Sequence, residues 1–335
     1  MDILIVSLGS TQGLRTADEQ LRGSLERAGA SVAIAKADPP RPVRTMMLTD
    51  LAWARAARAA AHKVLAAMEE APRAIIYSST TAALLRPRPG AIRFDATSAG
   101  NRPGWDGLWQ RPLERRRLDQ APLLLPWSEG ALSEIPGSSP ATEALVLPVA
   151  VEPSGPVESV RDIAAVTYGA NPTKKGLSRV IGAWRRVRGD LPGEELLIAG
   201  VTERELAVAG LIGVREEGIR VVGELPREEY RALLRRSRVF VCAPRREDYG
   251  IAQLEALADG CRLVTTPAPG PYAALEIARR LDPRLVGDDL DSALRCALQD
   301  PLDGYAESAR AAIAPFGMRT VDGLVAEQLL PRLLA

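Results

Sequence analysis

Histidine is almost missing from this sequence and cysteine is scarce: His62 stands alone, alongside only Cys242, Cys261 and Cys296. The cysteines have no C-x-x-C spacing and one histidine cannot complete a zinc set, so structural zinc and a disulfide framework are both disfavoured. Aromatic residues are only 4%, so the cores must be packed from aliphatic side chains, and the abundance of Ala, Leu and Arg favours helices. There is no charge excess: 43 Lys and Arg against 42 Asp and Glu leave +1, which argues against a chain built to hold nucleic acid. Nothing approaches the roughly 18 consecutive apolar residues of a membrane span, and no basic stretch precedes the short apolar run Ile3–Val6. The expectation is a cytoplasmic protein.

What is present fits a folded α/β protein. The 335 residues amount to two domains at about 150 residues each, and 46% hydrophobic with 25% charged residues excludes wholesale disorder. Ile3–Leu8 reads as a strand, followed by a loop Gly9–Gly13 and a helix after Thr16. The alternation continues with strands near Ser31–Ala37, Ala74–Ser78 and Ile92–Asp95, a helix over Asp50–Glu70, and a helix or helical turn over Trp105–Asp119. Leu123–Leu125 and Leu145–Pro148 read as two more short strands. Val151–Val160, with Pro153, Ser154, Gly155 and Pro156 and no periodic apolar face, reads as a linker. Beyond it strands at Ile163–Thr167, Leu196–Ala199, Ile219–Val222, Val239–Cys242 and Arg262–Thr265 alternate with helices at Leu177–Val187, Glu228–Ser237 and Ile251–Ala258. Strands alternating with helices predict two doubly wound, Rossmann-like domains with parallel sheets, 1–150 and 151–318, and a last helix in 319–335.

The most informative stretch is Arg245–Gly260, which holds Glu247 in the loop after one strand and Glu255 in the next helix, eight positions on. Both can face the crevice at the carboxyl ends of parallel strands, where ligands bind in such sheets. Between them Tyr249-Gly250-Ile251 opens the helix, where the positive dipole end and unpaired N–H groups favour a phosphate. A bare pair of glutamates at this spacing is weak evidence, since an acid near a helix start also complements the dipole. His62 reads as a partly exposed helix residue, Asp289-Leu290-Asp291 as a helix cap, and Cys242 and Cys261 as buried thiols. Arg111–Arg117 is either a solvated helix face or a surface for an anionic acceptor or lipid headgroups.

Glu247–Gly260 resembles the E-x7-E segment of retaining GT-B glycosyltransferases, the family 4 or group 1 type, with its pattern E-G-F-G-(I/L)-x-x-x-E-A-(L/M)-A-x-G. The likeness extends to Gly169–Gly176 (family pattern G-R-x-x-P-x-K-G), to Val221–Leu225 and to Leu147–Glu152, and so covers about residues 147 to 270. The resemblance implies two Rossmann-like domains facing across a cleft, an acceptor-side domain first and a nucleotide-sugar domain second, with the last helix crossing back. It implies transfer of a sugar from a nucleoside diphosphate sugar, UDP- or GDP-linked, to a small-molecule, glycan or lipid-linked acceptor, without metal or cofactor. Carried over by position, Lys175 holds the donor diphosphate with Lys174 beside it, Glu255 the ribose hydroxyls, and Glu247 lies by the donor sugar. Gly169, Tyr249, Gly250 and Ile251 complete the donor side, and Gly9 and Gly13 line the diphosphate from the first domain or merely make a turn. Asp95 closes a strand where the family often has a histidine near the reacting sugar; the plainer reading is a cap or turn. The chain departs from the pattern at Ala170, where the family usually has arginine, leaving Lys174 and Lys175 as the cations of that loop. That departure motivates the competing reading of a nucleotide-sugar-binding partner subunit with weak or no turnover; a GT-B epimerase is a third.

Overall fold

The computed structural model describes residues 1–41, 43–102, 104–135, 142–156, 158, 160–213 and 216–335. Positions 157 and 159 of the expected linker therefore lie outside the described residues. The chain divides into two compact units, Met1–Ala150 with Phe316–Ala335, and Val151–Pro315.

The first unit runs β1 (Ile3–Ser7), α1 (Gln12–Arg27), β2 (Val32–Lys36), α2 (Met46–Ala66), β3 (Ala74–Tyr77), α3 (Thr80–Leu84), β4 (Ala91–Phe94), α4 (Ser98–Asn101), α5 (Gln110–Asp119), β5 (Leu124–Pro126) and α6 (Glu129–Ser133). Its strands form one parallel sheet in the order β2-β1-β3-β4-β5. Strand β1 is apolar from Ile3 to Val6 because both faces of the sheet are covered. Leu4 and Val6 pack with Ala57 and Ala61 of α2, while Ile3 and Ile5 pack with Leu21 and Leu25 of α1 and with Val321, Val325 and Leu329 of the C-terminal segment. That segment is one helical stretch, Met318–Leu324 and Leu330–Leu334, with a π-helical turn at Val325–Leu329 between them.

Helix α2 runs Met46–Ala66 where the sequence reading has Asp50–Glu70, the short helices α3, α4 and α6 are additions to it, and two further details differ. Helix α1 starts at Gln12, because the Thr11 hydroxyl accepts from the Leu14 N–H and caps it; Gly13 thus lies in the helix and not in a loop. Leu145–Pro148 is not a strand: Ala144 makes a single bridge to Leu124, and only the Leu145 and Leu147 N–H groups bond to the edge, at 2.9 and 2.8 Å. Pro148 has no N–H with which to continue.

The second unit runs β6 (Ile163–Tyr168), α7 (Leu177–Val187), β7 (Leu196–Ala199), α8 (Glu203–Val208), β8 (Ile219–Gly223), α9 (Arg227–Arg236), β9 (Ser237–Cys242), α10 (Ile251–Ala258), β10 (Arg262–Thr265), α11 (Ala273–Leu281), α12 (Leu290–Gln299) and α13 (Tyr305–Ile313). Its sheet is again parallel, ordered β10-β9-β6-β7-β8. The chain enters at the central strand β6, builds outward to β8, then crosses over to β9. The strand order therefore reverses between β6 and β9, which opens a crevice at their carboxyl ends.

Candidate functional site

Two loops meet at that crevice, 169–176 after β6 and 243–250 after β9. They meet backbone to backbone. A Cβ built on Gly176 would lie 1.8 Å from the Ala243 carbonyl oxygen, and Gly176 has φ +62°, so only glycine fits on both counts. Arg245 N–H bonds to the Lys174 carbonyl at 3.0 Å, which fastens the loops together two positions away. Inside the first loop Asn171, at φ +55°, accepts from Lys174 N–H with its side chain (3.1 Å) and from Lys175 N–H with its carbonyl (3.0 Å). Gly169 packs so closely that a Cβ there would be 2.7 Å from Val201 Cγ1. Gly250, φ +91°, precedes Ile251 at the start of α10, and a Cβ on it would lie 2.8 Å from the Tyr272 ring. Tyr249 is buried, and its carbonyl accepts from Ala273 N–H at 3.2 Å.

The side chains of the two loops pair as oppositely charged neighbours. Lys175 Nζ lies 2.7 Å from Glu247 Oε2, which also accepts from Gln253 Nε2 at 3.0 Å. Lys174 Nζ lies 2.8 Å from Asp248 Oδ2, and Arg246 Nε donates to Asp248 Oδ1 at 2.8 Å. Burial would raise the Asp248 pKa, but Lys174 and Arg246 outweigh it and hold the carboxyl below its ordinary value. One turn into α10, Glu255 Oε1 accepts from Arg227 at 2.8 Å and from Arg231 at 3.4 Å. Here burial prevails over both arginines and raises the Glu255 pKa. The first turn of α10 adds N–H groups that have no partner within the helix. Lysines, a helix N-terminus and buried acceptors at one crevice make a site suited to a ligand that carries both phosphate and hydroxyl groups.

The structure brings Gly169, Lys174, Lys175, Glu247, Tyr249, Gly250 and Ile251 to these two loops and the head of α10, with Glu255 on the same helix. Gly9, Gly13 and Asp95 belong to the first unit. Gly9 follows β1 with φ +55° and its carbonyl accepts from Arg15 at 2.8 Å; Asp95, half-buried, directly follows β4. Sequence reasoning missed Arg227, Arg231, Arg246, Asp248 and Gln253. The two arginines lie 28 and 24 positions before Glu255, where no spacing rule points to them. Asp248, next to Glu247, stands where the resembling pattern has glycine and was open to view. Asp289 caps α12, as its Oδ1 accepts from Ser292 N–H at 3.1 Å, and Cys242 and Cys261 are buried thiols. Among the described residues no group of three His, Cys, Asp or Glu could hold a metal ion, and no helix is long and apolar enough to cross a membrane.

Two doubly wound α/β units, the second with its charged loops at the point of strand reversal, define a GT-B protein. Solved structures share this fold over their full length. The chain superposes on WaaG, a glycosyltransferase involved in lipopolysaccharide biosynthesis, with TM-score 0.73 and 17% identity over 98% of this chain and 99% of that one. For a sucrose-phosphate synthase from Thermosynechococcus elongatus the values are 0.74 and 16%, over 99% and 98%. For the trehalose-6-phosphate synthase OtsA they are 0.69 and 13%, over 98% and 99%. No curated protein sequence matches the chain. Residues 162–300, within the second unit, match the family model for glycosyl transferases group 1, and the chain as a whole has the GT-B fold.

Proposed function

We propose that the protein is a cytoplasmic, retaining, metal-independent transferase that moves a sugar from a UDP- or GDP-sugar to a small-molecule, glycan or lipid-linked acceptor. The observation that carries this reading is the Lys175–Glu247 pair at the strand reversal, with Glu255 on the helix that follows. Lys175 holds the leaving diphosphate together with the head of α10, and Glu247 lies beside the donor sugar. Glu255 takes the ribose hydroxyls through Oε2, since both arginines bond to Oε1. The departing phosphate accepts the acceptor proton, so the protein acts chiefly by stabilising negative charge. A fold neighbour, a trehalose-6-phosphate enzyme, is bound with UDP-2-fluoro glucose, and another, an O-GlcNAc transferase, is in complex with UDP and GlcNAc, which supports a nucleotide-sugar donor.

The two glutamates separate in a binding experiment. Glu255→Gln is expected to weaken nucleoside diphosphate binding by about tenfold, the low end for a hydrogen bond to a charged group. Glu247→Gln is expected to lower transfer or donor hydrolysis more than it lowers that affinity. Titration calorimetry with UDP and GDP, run beside turnover, checks both, and an unchanged affinity in Glu255→Gln would remove the ribose assignment. Chelator is expected to leave turnover unchanged, because the cations of this reading are side chains; a loss restored by magnesium or manganese would end it.

A lipid-linked acceptor accords with a peripheral membrane contact through the first unit. Trp105 is 84% exposed, Leu108 52%, Met46 50% and Leu48 45%. Arg102 pairs with Asp50 at 2.6 and 3.0 Å, which sets the start of α2 beside the turn Gly104–Gly107 that carries Trp105. Residues 41–63 and 102–117 together hold ten Lys and Arg against three Asp and Glu, in a chain of net +1. Exposed tryptophan and leucine in a region of net positive charge suit an anionic bilayer surface. Sedimentation with phosphatidylglycerol vesicles is expected to carry the protein down, with phosphatidylcholine vesicles much less, and Trp105→Ser is expected to weaken the effect. Equal behaviour with both vesicles would refute the contact.

A further inference from the structure

Glu247 and Asp248, adjacent in the second loop, take different partners. Each takes one of the two adjacent lysines on the facing loop, Glu247 taking Lys175 and Asp248 taking Lys174. Asp248 does more than form a pair. Its side chain is 10% exposed, and it uses one oxygen for Lys174 and the other for Arg246, whereas the Lys174 side chain is 45% exposed. A long flexible lysine stem at such a surface has many rotamers, and a buried carboxylate with a fixed place selects one of them. Asp248 thus fixes the positions of two cationic side chains at once. Asp248, itself negative, would repel a phosphate if it met one directly, so its effect on an anion must pass through Lys174 and Arg246.

We propose that Asp248 is a positioning residue of the donor site, holding Lys174 and Arg246 together as a second cationic group beside Lys175. The inference rests on the reading of the crevice as a diphosphate site, and the experiment separates the two. The probes are UDP, GDP and inorganic pyrophosphate, with UMP and GMP as the controls that lack the second phosphate. Affinity is measured by calorimetry on the full chain for wild type, Lys175→Ala, Asp248→Asn, Asp248→Glu, the double variant Lys174→Met with Arg246→Met, and that double variant carrying Asp248→Asn. Circular dichroism of each variant verifies the fold.

Asp248→Asn is expected to weaken diphosphate and pyrophosphate binding about tenfold, a typical loss for a charged hydrogen-bond partner, and monophosphate binding much less. Asp248→Glu is expected to restore part of the loss. In the background without the two cations Asp248→Asn is expected to add nothing, because residues that act as one unit are not additive. A wild-type affinity in Asp248→Asn, or the same tenfold loss with both cations already removed, would overturn the positioning role while Lys175→Ala still weakened binding and the donor-site reading stood. If the wild type bound none of the probes, or Lys175→Ala bound them all as well as wild type, the donor-site reading would fall and this inference with it.

Discussion

Lys175→Ala is expected to lower sugar transfer by about 100-fold to 1000-fold, the usual effect of removing one preorganised donor from a developing anion. The lysine is preorganised: its backbone N–H is tied to Asn171, Gly176 next to it fits only against Ala243, and its ammonium already sits 2.7 Å from Glu247. With an incoming diphosphate the ammonium has three donors to divide between phosphate and carboxylate. Two further variants give the result its meaning. Ala170 leaves no arginine in this loop, so Ala170→Arg tests whether a further cation raises donor hydrolysis, and Lys174→Ala tests whether Lys174 already supplies it. If Lys174 supplies it, Lys174→Ala is nearly as damaging as Lys175→Ala and Ala170→Arg adds little. Single-turnover rates on the four proteins decide the matter, and wild-type turnover in Lys175→Ala would overturn the whole site assignment.

Arg231→Leu is expected to destabilise the second unit by about 3–5 kcal/mol, the cost of leaving a buried charge without its partner. Arg231 is 5% exposed and binds three groups: Asp259 Oδ2 through Nε at 2.6 Å, Glu255 through NH1 at 3.4 Å, and the Glu152 carbonyl through NH2 at 2.7 Å. It thereby joins α9 to α10 and to the chain entering the unit. The leucine variant would strand Asp259, which is fully buried and keeps only the Ser154 N–H and hydroxyl, at 2.8 and 2.9 Å. The loss is expected to shrink as pH falls. A carboxyl whose folded pKa is raised, as that of Glu255 is by burial, takes up a proton on folding, so stability rises toward acid, and a protonated acid needs no counter-charge. Urea unfolding at neutral and mildly acid pH checks both parts. A loss below about 1 kcal/mol at neutral pH would show that Asp259 and Glu255 reach water without Arg231.

The five strands of the second unit and its helices α7, α9 and α10 are legible to within about two residues, and Leu177–Val187, Leu196–Ala199 and Ile251–Ala258 coincide with the observed bounds. Their apolar periodicity matches their own secondary structure. Leu145–Pro148 has the apolar run of a strand, while Pro148 and the lone bridge at Ala144 deny it a ladder. For helix α1, Thr16 and Thr11 are both plausible caps in the sequence, and only backbone geometry distinguishes them. The reading has no helix at α8, α11 or α13, although α11 buries Ala274, Leu275, Ile277 and Ala278 along one face.

For the site, the sequence by itself determined which residues can lie at the crevice. Glycines 176 and 250 are required where φ is positive and the backbone is crowded, and the run Glu247–Gly260 places two acids about a loop and a helix start. These are local properties, set by a few consecutive residues. Only the tertiary structure decided the pairings: Lys175 with Glu247 across 72 positions, Lys174 with Asp248 across 74, Arg227 with Glu255 across 28. The physical reason is range. A backbone conformation is chosen by steric contacts between near neighbours, but a charge chooses its partner only after the sheet order has carried β9 next to β6 and a buried carboxylate has found the nearest cation that relieves it.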